Sequence, residues 1–235
     1  MARAMARGWG RPVLCTAARP ERAQALADEV GGEAVASNAE LARRADLVVL
    51  CHKPAQLAAV AAEVGPHARR VASVLGGTSL PELRAAYPGI PVHRFMPNTP
   101  VAVRAGVIAH AEGPDDDPEV LDLFRELGSV ITVRDDQIDA AAGLMGCAPA
   151  YWALVVEAQV DAGVRAGIPA DRAAEMVVQT MAGSAALLAA GGPDTLAMRR
   201  AVASPGGSTA RGLAALERGG VRAAFSDAMD AVLAR

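Results

Sequence analysis

Near its C-terminal end the chain reads Val202-Ala203-Ser204-Pro205-Gly206-Gly207-Ser208-Thr209, two adjacent glycines and two hydroxyls at what reads as a helix entrance. Residues of these types in this order can hold a small anion and offer it a proton. Gly206 and Gly207 let bare backbone N–H groups approach a ligand. The following helix adds the positive end of its dipole, and Thr209 offers an O–H fixed by the first turn. A small carboxylate fits such a cradle. The plainer alternative is that Ser204 caps the helix, Pro205 fills its first turn and the glycines make a bend. That accounts for everything but the second hydroxyl, and eight residues alone leave both readings standing.

Composition limits what can surround this turn. A chain of 235 residues that is 52% hydrophobic makes one or two domains with a sizeable core. Aromatics are 3% of the residues, so the apolar mass is Ala, Val and Leu, which suits close helix packing and buried parallel strands better than stacking on bases. With a net charge of −3 and arginines interleaved with acids, nucleic acid is not an expected partner. No apolar run approaches the roughly 18 residues of a membrane span, so no membrane partner is expected. Cys15, Cys51 and Cys147 are an odd number at no metal-ligand spacing, which points to a reducing compartment, the cytosol. His52, His67, His93 and His110 also lack metal spacing and read as loop or surface residues, so no metal is expected. The first eleven residues carry three arginines but no apolar segment of a secretory signal, and read as a helix rather than a leader.

Strand and helix alternate through the first half. Pro12 to Thr16 predicts a short strand, Pro20 to Val30 a helix ended by Gly31 and Gly32, and Asn38 caps a helix through Arg44. Asp46–Cys51 reads as a buried strand, Gln56–Val64 as a helix, Arg70–Leu75 as a strand, and a fourth strand lies around Val92-His93-Arg94. The alternation predicts a doubly wound parallel sheet, which binds ligands at the carboxyl ends of its strands. Four such ends stand out: Thr16-Ala17-Ala18-Arg19, Cys51-His52-Lys53-Pro54, Gly76-Gly77-Thr78, and Met96-Pro97-Asn98-Thr99-Pro100. The first lacks the acid that would meet the ribose of NAD, and Arg19 suits a 2′-phosphate. Each is also an everyday loop; their alignment is what makes a site.

Beyond about Asp136 glycine and proline thin out and alanine-rich helices take over, as in Tyr151–Ala166 and Asp171–Ala190. The expected organisation is a nucleotide-binding domain over 1–135 and a helical domain over 136–235. The helices carry small apolar residues on several faces, more than a short bundle can bury, which predicts a homodimer. The acidic run Asp115-Asp116-Asp117 reads as a solvated turn.

Taken together, these motifs resemble the Δ1-pyrroline-5-carboxylate reductase family over nearly the whole chain. His52-Lys53-Pro54 resembles the family's Val-Lys-Pro, and Met96 to Pro100 matches its Met-Pro-Asn-Thr-Pro. Gly146-Cys147-Ala148-Pro149-Ala150-Tyr151 echoes its Gly-Ser-Gly-Pro-Ala-Tyr, Ser204 to Thr209 completes its Ser-Pro-Gly-Gly-x-Thr, and Leu216 to Arg222 resembles its C-terminal stretch. The resemblance implies a Rossmann-like α/β domain followed by an all-helical dimerisation domain. It also implies hydride transfer from NADPH, or NADH, to the imine carbon of a small cyclic substrate, giving proline. Thr209 would bond the ring nitrogen, as the catalytic residue, and N–H groups near Gly206, Gly207, Ser208 and Thr209 would hold the carboxylate. Cys147 and Pro149 would line the substrate. The cofactor would meet Ala18, Arg19, Asn38, Cys51, His52, Lys53, Pro54, Gly77, Met96, Pro97 and Asn98. Dimers of the family assemble further in rings, and the C-terminal turn is expected to face the nicotinamide.

The chain departs from the pattern in two places. The family's first strand and Gly-rich turn would lie upstream of Met1, which leads us to expect a start codon placed too far downstream or a shortened chain. Met145, Cys147 and Ala148 stand where the family has Ser, Ser, and Gly or Ser; Ala203 replaces a Thr, and Arg199-Arg200 replaces Arg-Asp. A methyl-rich pocket implies altered substrate preference or weaker activity. A nucleophilic role for Cys147 is disfavoured, since hydride transfer needs no thiolate. Two alternatives follow: a reductase of another cyclic imine or keto acid, and a degenerate paralogue that dimerises without turnover.

Overall fold

A computed structural model of the chain describes residues 1–234. The first unit, Met1–Pro149, strings short strands between capped helices. In order these are α1 (Ala2–Trp9), β1 (Leu14–Cys15), α2 (Pro20–Val30), β2 (Glu33–Ala34), α3 (Asn38–Arg44), β3 (Val48–Leu50) and α4 (Leu57–Val64). Then come β4 (Val71–Ser73), α5 (Leu80–Ala86), β5 (Val92–Pro97), β6 (Gly106–Ala111), α6 (Pro118–Arg125), β7 (Gly128–Val133) and α7 (Ile138–Ala141). Local signals fix the ends. Pro20 opens α2 and Gly31 closes it in the left-handed region at φ 67°. Ser79 and Glu82 form a reciprocal capping box on α5. At α3 the cap is Ser37, not Asn38: the Ser37 hydroxyl accepts from the Glu40 N–H at 3.1 Å, and Asn38 is the first helical residue.

The sheet lies in two pieces, β1 beside β2, and β3-β4-β5-β6-β7. Strands β3, β4 and β5 run parallel, with Leu50 opposite Ser73 and Ser73 opposite Arg94. The sheet is not parallel throughout. β6 returns antiparallel to β5 because only a 3-10 turn, Thr99–Val103, joins them, too short for a crossover, and β7 then follows β6 in parallel. Helices cover both faces. One side buries Val48, Leu50, Val64, Val71 and Leu83 with α3, α4 and α5; the other packs Met5, Phe95, Ile108, Phe124 and Leu127 with α1 and α6. Alternate residues of one strand serve opposite faces, as Val71 and Ala72 do. Phe95 stacks on Phe124 with ring centroids 3.8 Å apart, and Trp9 meets Phe124 edge-on at 5.8 Å.

This unit extends to Pro149, past the expected boundary, because α7 is pinned to the sheet. Ile138 is fully buried against Ala109 and Ala111, and buried Arg94 on β5 donates to the Asp135 carboxylate at 2.6 Å. Asp135 also accepts from the Leu80 N–H, so one acid joins β5, α5 and the entrance of α7.

The unit from Ala150 onward is entirely helical, with most of α8 (Ala148–Arg165), then α9 (Ala170–Ala190), α10 (Thr195–Val202), α11 (Ser208–Arg218) and α12 (Val221–Leu233). Among its described residues only Ala173 is buried, while Trp152, Leu154, Met176 and Leu187 are exposed. The expectation that nothing reaches membrane length needs correction: Asp135–Arg165 and Ala170–Ala190 are long and apolar enough to cross one, each with an 18-residue window of mean hydropathy 1.3. They are apolar on more faces than their own unit covers.

Candidate functional site

Because β3, β4 and β5 are parallel neighbours, the loops that follow them share one edge of the sheet. Cys51-His52-Lys53-Pro54 leaves β3, with the Lys53 N–H donating to Gln56 Oε1 at 3.2 Å as Pro54 opens a 3-10 turn. Cys51 is open to solvent as a residue, yet close packing around its sulfur pushes the thiol up to about 11. It is therefore a neutral thiol at pH 7. After β4, Gly77 takes φ 69°, and a methyl group on Gly76 would touch the Met96 side chain at 3.9 Å, so this loop lies against the end of β5. Met96 and Pro97 belong to β5 itself rather than to the loop beyond it.

Asn98 is buried and holds the edge together. Its Oδ1 accepts from the Val107 N–H at 2.9 Å and its Nδ2 donates to the Met145 carbonyl at 3.1 Å. The second bond ties the end of β5 to a π-helical turn over Ala142–Gly146, directly before half-buried Cys147 and Pro149. A π turn inside a helix is unusual and concentrates at functional places. Neither this turn nor the Arg94–Asp135 pair was visible in the sequence, because each depends on residues brought together from separate elements.

Ala18 and Arg19 lie exposed where β1 leads into α2. Among the described residues neither Arg19 nor Lys53 makes a salt bridge, although most arginines of this unit are paired, for example Arg44 with Glu33 at 2.5 Å. Asn38 donates to Glu63 at 2.9 Å. Lys53 and the glycine loop at the shared ends of β3 to β5, and Arg19 at the end of β1, are residue types that suit a phosphate-bearing nucleotide.

The C-terminal turn lies in the helical unit. α10 ends at Val202, and α11 starts at Ser208 with Gly207 as its cap residue and no side-chain cap bond. The plainer reading holds only in part: the glycines do make a bend, but Ser204 makes no cap bond, and its carbonyl accepts from the Gly207 N–H at 3.0 Å within that turn. Gly206 sits at φ 69°, and a side chain on Gly207 would collide with the Ser204 hydroxyl, so each glycine has its own steric reason. Arg211 reaches back to the Gly206 carbonyl at 2.6 Å. The first-turn N–H groups of Ser208, Thr209 and Ala210 have no carbonyl to meet inside their own helix, and Thr209 is half-buried. The turn therefore presents donors and a hydroxyl side by side.

Residues 135–235 match the family described as pyrroline-5-carboxylate reductase dimerisation, and residues 1–75 match the family described as NADP oxidoreductase coenzyme F420-dependent. Pyrroline-5-carboxylate reductase of Mycobacterium tuberculosis is 38% identical over 92% of this chain and 83% of its own length. This chain belongs to the pyrroline-5-carboxylate reductase family. Among solved structures, the Streptococcus pyogenes 1-pyrroline-5-carboxylate reductase superposes with a TM-score of 0.87 at 30% identity, covering 99% of this chain and 92% of that one. The Plasmodium falciparum pyrroline carboxylate reductase, solved with NADP bound, gives 0.85 at 25% identity, over 97% and 90%. The family match at the helical half begins at 135, whereas compact packing divides the chain at 149.

Two sequence-based expectations are corrected by the side-chain environments. His93 and His110 are not loop or surface residues: they sit on β5 and β6 and are 1% and 0% exposed. The run Asp115-Asp116-Asp117 is no free turn, since Arg84 grips Asp115 at 2.5 Å and Arg70 grips Asp117 at 2.6 Å. His52 is, as expected, a loop residue, half-buried with Nδ1 2.9 Å from the Lys53 carbonyl.

Proposed function

We propose that this chain reduces the C=N bond of 1-pyrroline-5-carboxylate to give L-proline. The observation that carries this reading is the complete Ser204-Pro205-Gly206-Gly207-Ser208-Thr209 turn at the head of α11, in a chain of the family that bears the reaction's name. In the roles we assign, the N–H groups of Gly207, Ser208 and Thr209, with Gly206 opening the turn, hold the substrate carboxylate. Thr209 Oγ hydrogen-bonds the ring nitrogen as it becomes an amine. Cys147 and Pro149 are assigned to contact with the substrate, with no nucleophilic role for Cys147, since hydride transfer needs no thiolate. The nicotinamide nucleotide supplies the hydride when bound. Lys53, Pro54, Cys51, His52, Gly77, Met96, Pro97 and Asn98 at the strand ends, with Ala18, Arg19 and Asn38, are the residues that would hold it.

For the cofactor we infer NADPH over NADH, on the strength of Arg19: an exposed guanidinium with no acid partner is free to pair with a 2′-phosphate. The functional division we propose lies at 135/136, where the dimerisation segment begins, and the apolar surface of α8 and α9 supports a homodimer that associates further. Among the described residues all three cysteines are unpaired thiols, which fits a reaction run in the cytosol.

NADPH oxidation with pyrroline-5-carboxylate, with proline identified as product, tests the reading. Turnover of a six-membered cyclic imine or of 2-keto acids in preference would shift the substrate, in keeping with Met145, Cys147 and Ala148. Stable dimers that bind no NADPH would reduce the chain to a non-catalytic paralogue.

A further inference from the structure

At the start of β5, away from the strand ends that form the proposed cofactor edge, two histidines and an aspartate converge. Phe95 lies opposite His110 across the β5–β6 ladder, and His93, two residues along, therefore falls on the same face. Asp116 comes from the turn after β6. The nearest donor atoms of the three residues all lie within 4.8 Å of one another.

The donor atoms of this cluster suit a cation. His93 is 1% exposed and neither of its ring nitrogens has a hydrogen-bond partner among the described residues; His110 is 0% exposed and its Nε2 is likewise unsatisfied. Buried polar atoms are rarely left this way. Asp116 Oδ1 approaches His110 Nε2 to 3.2 Å, an electrostatic contact without the alignment of a full hydrogen bond. Two ligands of a tetrahedral zinc ion at about 2.0–2.1 Å stand about 3.3–3.4 Å apart, so this spacing is already that of ligands on a shared metal. On its other side His110 Nδ1 is 3.4 Å from the Thr132 hydroxyl, a contact that orients the ring and leaves Nε2 facing the carboxylate.

The surroundings agree. Burial holds both imidazoles below their ordinary range, so they are neutral at pH 7, the form that ligates metals. Of the three consecutive acids, Asp115 is taken by Arg84 and Asp117 by Arg70, while Asp116 has no arginine and turns to His110 with its side chain about one-third exposed. The cluster is thus open to solvent on one side. Asp115, Asp117 and Glu112 add negative potential, against which Arg125 acts.

We propose that His93, His110 and Asp116 bind a divalent transition-metal ion of the zinc type. Two imidazoles among three donors disfavour magnesium and calcium, and the fourth position is left to water. The ion would join β5, β6 and the acidic turn, and it stands independently of the reaction proposed above.

The test uses the full-length, tag-free chain stripped with a chelator. Titration with zinc chloride by calorimetry is expected to give one ion per chain, cobalt(II) should show the visible absorption of a four-coordinate site, and zinc should raise Tm. His93→Phe preserves the aromatic packing, and Asp116→Asn changes an exposed group, so both variants are expected to fold in chelator. Each should weaken zinc binding by more than about tenfold, since even second-layer changes around a metal cost that much. Absence of saturable zinc binding, or binding unchanged in both variants, overturns the site.

Discussion

The two halves of this chain solve the burial problem in opposite ways. Up to Pro149 the molecule buries its apolar residues within itself, on both faces of a sheet, and pairs most of its arginines with acids. From Ala150 on, long helices leave Trp152, Leu154, Met176 and Leu187 exposed and bury Ala173 alone among the described residues. A helix apolar on several faces needs a neighbour. In this family the helical half is the dimerisation segment, so its missing core is supplied by association. One half carries a core of its own; the other leaves apolar helix faces for association.

The sharpest break between the halves would come from the aromatic stack. Phe124→Ala removes a fully buried ring packed on Phe95 and Trp9, and should cost about 3–5 kcal/mol whatever the protein concentration. Denaturant unfolding at two concentrations tests this, and a loss that depends on concentration would blur the distinction. Leu187→Asp should act the other way, weakening self-association by about 100-fold or more, or ~2.7 kcal/mol, with little change in the nucleotide unit. Light scattering over a dilution series reads it; an unchanged mass would place the shared face elsewhere.

Smaller effects sharpen the division of labour. Thr209→Ala should lower kcat/KM by roughly 1–3 kcal/mol of transition-state stabilisation while dimers persist, and an unchanged steady-state value would remove Thr209 from the chemistry. Arg19→Ala should raise KM for NADPH about tenfold and leave KM for NADH alone, the loss of one charge-assisted contact. Equal effects on both cofactors would place Arg19 away from the 2′-phosphate.

Much of the fold was legible because its signals are local. Pro20 and Gly31 bound α2 at the residues the sequence indicated, and the apolar runs around Val48, Val71 and Val92 became strands. The site motifs were equally plain, since glycine pairs and a hydroxyl at a helix entrance are a matter of neighbouring residues. Less legible was whatever depended on distant partners. Asn38 was expected to cap α3, but the Ser37 hydroxyl takes the Glu40 N–H, a geometry the residue types alone did not indicate.

The sequence by itself determined most element positions and that helices follow strands, and it offered Ser204 to Thr209 as one of two readings of a turn, because dihedral preference and side-chain period act over a few residues. Tertiary structure decided that β6 turns back against β5, that Arg94 finds Asp135, and that His93 and His110 meet inside the sheet beside Asp116. Those outcomes rest on cross-strand register and on the cost of burying polar groups, and both exist only once separate segments have come together.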